Sequence, residues 1–458
     1  MSLSIVILAA GQGKRMNSKL PKVLHRLAGK TLLEHVVQST IPLYPSIPPI
    51  VIYGHQGEVV RAALPELNVT WVEQQQQLGT GHAALQALPH LSASDRVLIL
   101  YGDVPLITTE TLQQFIDKTP TNVLGIITAD YPISMGLGRI FRDEHNKITR
   151  IIEEKDATAS ERLIKEINTG IYLVPAGYLQ KWLPLLQNTN AQHEYYLTEI
   201  VEFAVKENLT IHSEKPLRLE EIAGINDCLQ LAQAERMYQY SSAVKLMQQG
   251  VTLYDPSRLD VRGDVSCGHD VTIDINVILE GRVIIGNHCK IGANTVLRNV
   301  TLGDHVEIKE NCVIDGADIA EHCIVGPFAR VRPGTHVASH VHIGNFIEIK
   351  NSTISSHSKL NHVSYIGDSE IGKRVNIGAG TITCNYDGAD KHKTIIGDDA
   401  FIGSNSSLVA PVTIGENATI GASSTITRDA PAQQLTLCRT PQRSIANWQR
   451  KKKSKQES

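Results

Sequence analysis

An aliphatic residue returns at every sixth position along much of the C-terminal half of this chain, and few folds accommodate that period. Val265, Val271, Val277 and Val283 share one frame, and Ile319, Val325, Val331, Val337, Ile343 and Ile349 share another. Ile396, Ile402, Leu408, Ile414, Ile420 and Ile426 form the longest clean run. A helix of 3.6 residues per turn cannot hold such steps in register. A parallel β-helix can, because each six-residue unit makes one flat side of a prism and three units close a coil. At a strand spacing of about 4.8 Å, the span from Val265 to Ile426 has room for roughly nine coils. Cys289, Cys312 and Cys323 each follow a repeat's aliphatic residue by four positions, where a small inward side chain is wanted, so they read as core. The largest interruption, Cys384 to Thr394, is a polar excursion, and loops on rigid scaffolds are where function concentrates.

Before residue 225 a different rule holds. Ser4–Ala9, Pro49–Tyr53, Val97–Tyr101 and Val123–Ala129 read as strands, with helices expected over Leu32–Thr40, Gly81–Leu88 and Thr108–Asp117. Such alternation implies βαβ units and a mostly parallel, Rossmann-like sheet. Asn226 or Asp227 can cap a following helix through Leu229, Ala234 and Leu246, ended by Gly250, an arm on the order of 35 Å long. The expected division is therefore 1–225, a helical arm 226–250, a coil domain 251–437 and a tail 438–458.

A chain of 458 residues exceeds one core, and a net charge of −3 gives no field that would point to nucleic acid or membrane. No apolar run reaches the ~18 residues of a membrane span. Ile5 to Ala10 leads into a glycine loop rather than a cleavage site, so it reads as a first strand and not a leader. Seven cysteines without a CxxC pair suit reduced thiols in a cytosol. The basic run Arg450 to Lys455 reads as a solvated tail.

The first loop, Leu8-Ala9-Ala10-Gly11-Gln12-Gly13-Lys14-Arg15-Met16, lets backbone N–H groups approach phosphates, and Lys14 and Arg15 add charge. It is not a dinucleotide fingerprint, which needs glycine at Met16. Nor is it a P-loop, which needs glycine at Leu8 and Ser or Thr at Arg15. The segment resembles the LAAGxGTRM signature of sugar-1-phosphate nucleotidyltransferases, with Lys14 in place of the usual threonine. Pro21-Lys22-Val23-Leu24, Gln74, Leu78-Gly79-Thr80-Gly81-His82, Tyr101-Gly102-Asp103, Gly138-Arg139, Glu153, Asn168-Thr169-Gly170 and Gly224-Ile225-Asn226 follow in the family's order.

In the coil, the polar residues set against the repeat are Arg332, Glu348 and Lys350, His362, Tyr365 and Asn376. Over its full length the chain resembles the bacterial bifunctional N-acetylglucosamine-1-phosphate uridyltransferases and glucosamine-1-phosphate N-acetyltransferases. That resemblance implies a left-handed β-helix, a homotrimer built through it, and a cytoplasmic enzyme supplying UDP-N-acetylglucosamine. It implies UTP as uridylyl donor, acetyl-CoA as acetyl donor, and Mg²⁺ held by Asp103 and Asn226. Lys22 would neutralise phosphates beside the Leu8–Gly11 loop, Tyr101 and Gly102. Gln74, Gly79 and Thr80 would read the base, and Gly138, Glu153 and Asn168 would hold the sugar. His362 would be the general base, with Glu348 orienting it. Arg332 and Lys350 would grip the sugar phosphate, Tyr365 and Asn376 would contact the sugar, and Asn385, Tyr386, Ser404, Ala422 and Arg439 would line the acetyl-CoA site. Taken bare, an Asp at Asp103's place is more often a strand-end turn cap, and His362 is one of many coil histidines. A single-activity nucleotidyltransferase with a purely structural or regulatory coil is the alternative.

Overall fold

The computed structural model describes residues 2–43, 47–54, 56–131 and 136–450; the basic run from Lys451 onward lies outside them. The chain divides into two compact units, Met1–Ser241 and Ser242–Ser458.

The first unit is built on a nine-stranded sheet. Its strands are β1 (Leu3–Ala9), β2 (Ile50–Tyr53), β3 (Thr70–Glu73), β4 (Arg96–Tyr101), β5 (Leu124–Asp130), β6 (Arg139–Arg142), β7 (Ile148–Ile152), β8 (Glu166–Pro175) and β9 (Ile211–Glu214). The order is β9-β5-β8-β4-β1-β2-β3, and β1 pairs in parallel with β2 and β4. Side chains on successive strand positions point to opposite faces, and both faces are buried. Val6, Leu8, Ile52, Val97 and Ile99 enter one core, while Ile5, Ile7, Val51, Leu98 and Leu100 enter the other. The sheet departs from all-parallel at β8, which runs antiparallel between β4 and β5 and carries the β6–β7 hairpin on its end. Helix α1 (Leu32–Thr40) starts at a capping box: Thr31 Oγ1 accepts from Glu34 N at 3.2 Å and Glu34 Oε2 accepts from Thr31 N at 2.6 Å.

The helix Cys228–Gln248 follows. Asp227 is its cap, its Oδ1 accepting from Gln230 N at 2.8 Å, which leaves the Asn226 side chain free for other work. Gly250 ends the segment at φ 95°.

The second unit is a left-handed parallel β-helix. One side of the prism is a continuous ladder that begins at Thr252 and passes Thr272, Lys290, Glu307, Ile324, His342, Lys359, Asn376, Phe401 and Thr419 to Leu435. The coil thus starts earlier than Val265, because Leu253 and Leu259 hold the same six-residue frame with leucine in place of valine. Every aliphatic residue of the two later frames is buried. Cys289, Cys312 and Cys323 are fully buried among them, and burial pushes the thiols of Cys312 and Cys323 up to about 11, so they are inert core atoms.

The corners are turned by residues in the left-handed region, which asparagine, aspartate and histidine tolerate better than other side chains. One corner is formed in successive coils by Asp270, His288, His305, His322, His340 and His357, all with φ between 56° and 63°. The five imidazoles stack with centroids 4.7–4.8 Å apart, the coil repeat itself.

Candidate active sites

In the first unit the C-terminal ends of β1 and β4 open onto a cleft of about 590 Å³. Leu8, Ala9, Ala10, Gly11, Lys22, Gln74, Gly79, Thr80, Tyr101, Asp103 and Asn226 line it, all anticipated from sequence; Gln77, Lys155, Gln192 and Glu194 line it too, and were not. The glycine loop is tight where it must be. Gly13 sits at φ 61°, and a Cβ there would meet Lys22 Cβ at 2.8 Å. Gly79, at φ 112°, packs on the Tyr195 backbone with no room for a side chain. Gln74 is buried, and its Nε2 donates to Gly79 O at 3.1 Å and meets His82 Nδ1 at 2.9 Å. Those bonds fix the amide plane at the cleft wall.

Lys22 Nζ lies on Asp103 Oδ2 and 3.2 Å from Asn226 Oδ1. The carboxylate and the amide oxygen therefore converge on one cationic centre. Two oxygen donors converging this way fit Mg²⁺, which favours oxygen ligands and keeps several waters of its own.

Gly138, Glu153 and Asn168 cluster beside Tyr101. Asn168 N donates to Gly138 O at 2.8 Å, and the Tyr101 ring lies against Gly170, where any Cβ would collide with it. Burial raises the Glu153 carboxyl above its ordinary range, opposed by the hydroxyl of Thr198, which donates to Oε1 at 3.0 Å. Burial likewise raises the Tyr101 phenol, so this wall presents neutral hydroxyls. Gly102 is held between neighbours: its N donates to Leu8 O at 2.9 Å, joining β4's exit to the glycine loop.

In the second unit one face carries a ladder of alternating charge. Arg262 faces Glu280, Glu280 faces Arg298, and Arg298 faces Asp315. Arg298 reaches both neighbours, Glu280 at 3.1 Å and Asp315 at 3.3 Å. Continuing the register puts Arg332 next and then Lys350, two cations in succession. The alternation breaks there. Arg332 turns to Glu348 at 2.9 Å, and Lys350 has Asp368 at 3.9 Å. Lys391, from the 384–394 excursion, faces Lys350, whose charge lowers its pKa. An alternating ladder that ends in crowded cations is an anion site in the making.

The structure corrects one assignment. Glu348 is occupied by Arg332, and it is Asn345 that meets His362, Oδ1 to Nδ1 at 3.0 Å, from the adjacent coil. If Nδ1 donates to that amide oxygen, Nε2 is left as the basic nitrogen. Above His362 the register continues through Ala379, Ser404 and Ala422: Asn405 N donates to Ala379 O and Ser423 N to Ser404 O. Small side chains at successive levels make a row about 14 Å long beyond the histidine. Arg439 reaches its top, donating to Ala422 O at 3.1 Å. Ala379 was not anticipated, since alanine carries no chemical signal of its own. Tyr365 and Lys350 sit on the same flank, and Asn376 lies on the neighbouring side of the coil. Asn385 is buried at the base of the excursion and contacts Tyr365 Oη at 3.5 Å, whereas the next residue, Tyr386, is exposed and bridges to Lys391.

The comparisons agree with both halves. A MobA-like NTP transferase domain matches residues 5–165, a bacterial transferase hexapeptide (six repeats) matches 393–428, and a GMPPB C-terminal domain matches 261–344. The bifunctional protein GlmU of Cupriavidus pinatubonensis (strain JMP 134 / LMG 1197) is 51% identical over 455 residues, covering 99% of this chain and 100% of that protein. The protein of the same name from Nitrosomonas eutropha (strain DSM 101675 / C91 / Nm57) is 52% identical over 457 residues, with 99% and 100% covered.

Proposed function

Because the chain belongs to the bifunctional GlmU family, we propose a division of its chemistry that follows its two sets of residues. The chain is a bifunctional enzyme of UDP-N-acetylglucosamine synthesis, a nucleotidyltransferase and a glucosamine-1-phosphate N-acetyltransferase in one polypeptide.

In the second unit, acetyl-CoA is the donor. His362 Nε2 takes a proton from the sugar amine as the nitrogen attacks the thioester carbonyl; the C–N bond forms, the C–S bond breaks, and the imidazolium returns the proton to the departing sulfur, which leaves as thiol. Arg332 and Lys350 hold the phosphate, Tyr365 and Asn376 the sugar. The row of small residues from Ala379 to Ala422 takes the donor's extended arm, with Asn385, Tyr386 and Arg439 around it. His362, Ser404, Ala422 and Arg439 are all exposed on the surface of one β-helix, which supports a homotrimer in which a neighbouring β-helix covers them.

In the first unit, the phosphate oxygen of N-acetylglucosamine-1-phosphate attacks the α-phosphorus of UTP and pyrophosphate leaves. Catalysis of this kind rests on positioning and charge neutralisation. The Leu8–Gly11 backbone and Lys22 receive the phosphates, Gln74, Gly79 and Thr80 the base, and Gly138, Glu153 and Asn168 the sugar. Asp103 and Asn226 would hold Mg²⁺, which when bound neutralises phosphate charge. Lys22 would then give up its place on Asp103 and turn to the phosphates. Cytoplasmic residence fits seven free cysteines. Among the described residues no helix is long and apolar enough to cross a membrane.

The observation that carries the acetyl-transfer assignment is the break in the charge ladder at Arg332 and Lys350. Arg332→Ala should raise the KM for glucosamine-1-phosphate by about ten- to a hundredfold, the loss of one charge-assisted contact of roughly 1.5–3 kcal/mol. An unchanged KM would remove the phosphate from this position.

A further inference from the structure

Asp368 sits at a coil corner with φ 49°, one position past Gly367, the register partner of Lys350, and immediately before the coil that carries the excursion. Its backbone joins the two: Asp368 N donates to Lys350 O at 3.0 Å, and Thr394 N, where the excursion returns, donates to Asp368 O at 3.2 Å. Its side chain is only 12% exposed and is engaged from three directions. Oδ1 accepts from Asn351 Nδ2 at 2.6 Å, Oδ2 accepts from Asn385 Nδ2, and Lys350 Nζ lies 3.9 Å away. Lys391 faces the same carboxylate from the excursion, beside Lys350 and Tyr365. One negative charge therefore faces two ammonium groups that would otherwise repel each other, and it fastens the amide at the excursion's base.

We propose that Asp368 is a positioning residue for acetyl transfer, holding Lys350, Lys391 and Asn385 where they meet the sugar phosphate and the acyl donor. The proposal rests on the phosphate reading of Arg332 and Lys350. The arrangement sets two lysines against the Asp368 carboxylate at one corner. A single carboxylate compensates one of them, and the surplus positive charge is what an anionic substrate would meet. A neutral isostere would keep the corner's shape and lose that balance, so the Lys391 ammonium, which the Asp368 charge supports, would give up its proton more readily.

The test is Asp368→Asn in the full-length protein, assayed for both activities. The expected result is a rise of about tenfold in KM for glucosamine-1-phosphate with kcat changed less than about threefold, since the lost interaction is binding common to ground and transition states. The alkaline limb of kcat/KM for acetyl transfer should move to lower pH. The groups facing the lysine pair there are Asp368, Tyr365 and, one rung below, the Arg332–Glu348 pair. Asp368→Glu, which keeps the charge, should leave that limb in place. Pyrophosphate release should match wild type in both variants, and an unchanged circular-dichroism melt should report that the second unit is folded. If Asp368→Asn does not accumulate, Asp368→Glu carries the test alone, with KM raised and the limb unmoved. An unchanged KM in Asp368→Asn, while Arg332→Ala still raises it, would overturn the role of Asp368 and leave the phosphate site standing. An unchanged KM in both would overturn the phosphate reading first.

Discussion

Glu153 shows how much a single environment decides. Buried beside Tyr101 and Tyr172, its carboxyl is raised by desolvation, and the hydrogen bond donated by the Thr198 hydroxyl opposes the rise. Thr198→Val removes that opposition. If the ionised carboxylate receives the sugar hydroxyls, the acidic limb of uridylyl transfer should move to higher pH in Thr198→Val while acetyl transfer keeps its profile; coincident limbs in wild type and variant would contradict this. The stability sign follows from the same shift. A carboxyl raised on folding costs stability above its folded pKa and costs nothing below its unfolded one. Glu153→Gln should therefore raise the melting temperature near neutral pH, with the gain vanishing in acid. At this scale the sequence disclosed residues with chemical character, such as Asp103, Lys22 and His362. It misassigned Glu348 and passed over Asn345 and Ala379, because partners seventeen residues apart become neighbours only through coil register.

Elements reveal a different kind of legibility. The six-residue period needs no tertiary information, so the β-helix was readable from the spacing of valine and isoleucine alone. Strand direction was not: Glu166–Pro175 is an apolar run like its parallel neighbours, and nothing local says that it enters the sheet reversed. The histidine corner was also hidden, each member reading as an ordinary surface histidine. Its common cause is the positive φ that each coil demands there. His322→Asn should accordingly be tolerated within about 0.5 kcal/mol, since asparagine turns other corners of this coil at Asn294 and Asn311. His322→Val, β-branched in the left-handed region, should cost about 1–2 kcal/mol of stability. Equal denaturation midpoints for the two variants would mean that the corner is not what selects histidine.

The whole molecule is two enzymes in one chain, and each proposed site draws its residues from one unit: Leu8 to Asn226 in the first, Arg332 to Arg439 in the second. This organisation was legible because both halves carry ordered motifs. The cleft-lining residues Gln77, Lys155, Gln192 and Glu194 were not, since they come from loops that only the folded sheet gathers. Separate sites should fail separately. The most direct measurement follows free thiol and pyrophosphate as two channels in wild type, His362→Ala and Asp103→Ala, each supplied with both sets of substrates. Removing a positioned base should cut thiol release by about 10²–10⁴-fold in His362→Ala, with pyrophosphate release from supplied N-acetylglucosamine-1-phosphate near wild type. Asp103→Ala should reverse the pattern. Loss of both channels in either folded variant, or full thiol release in His362→Ala, would contradict the account.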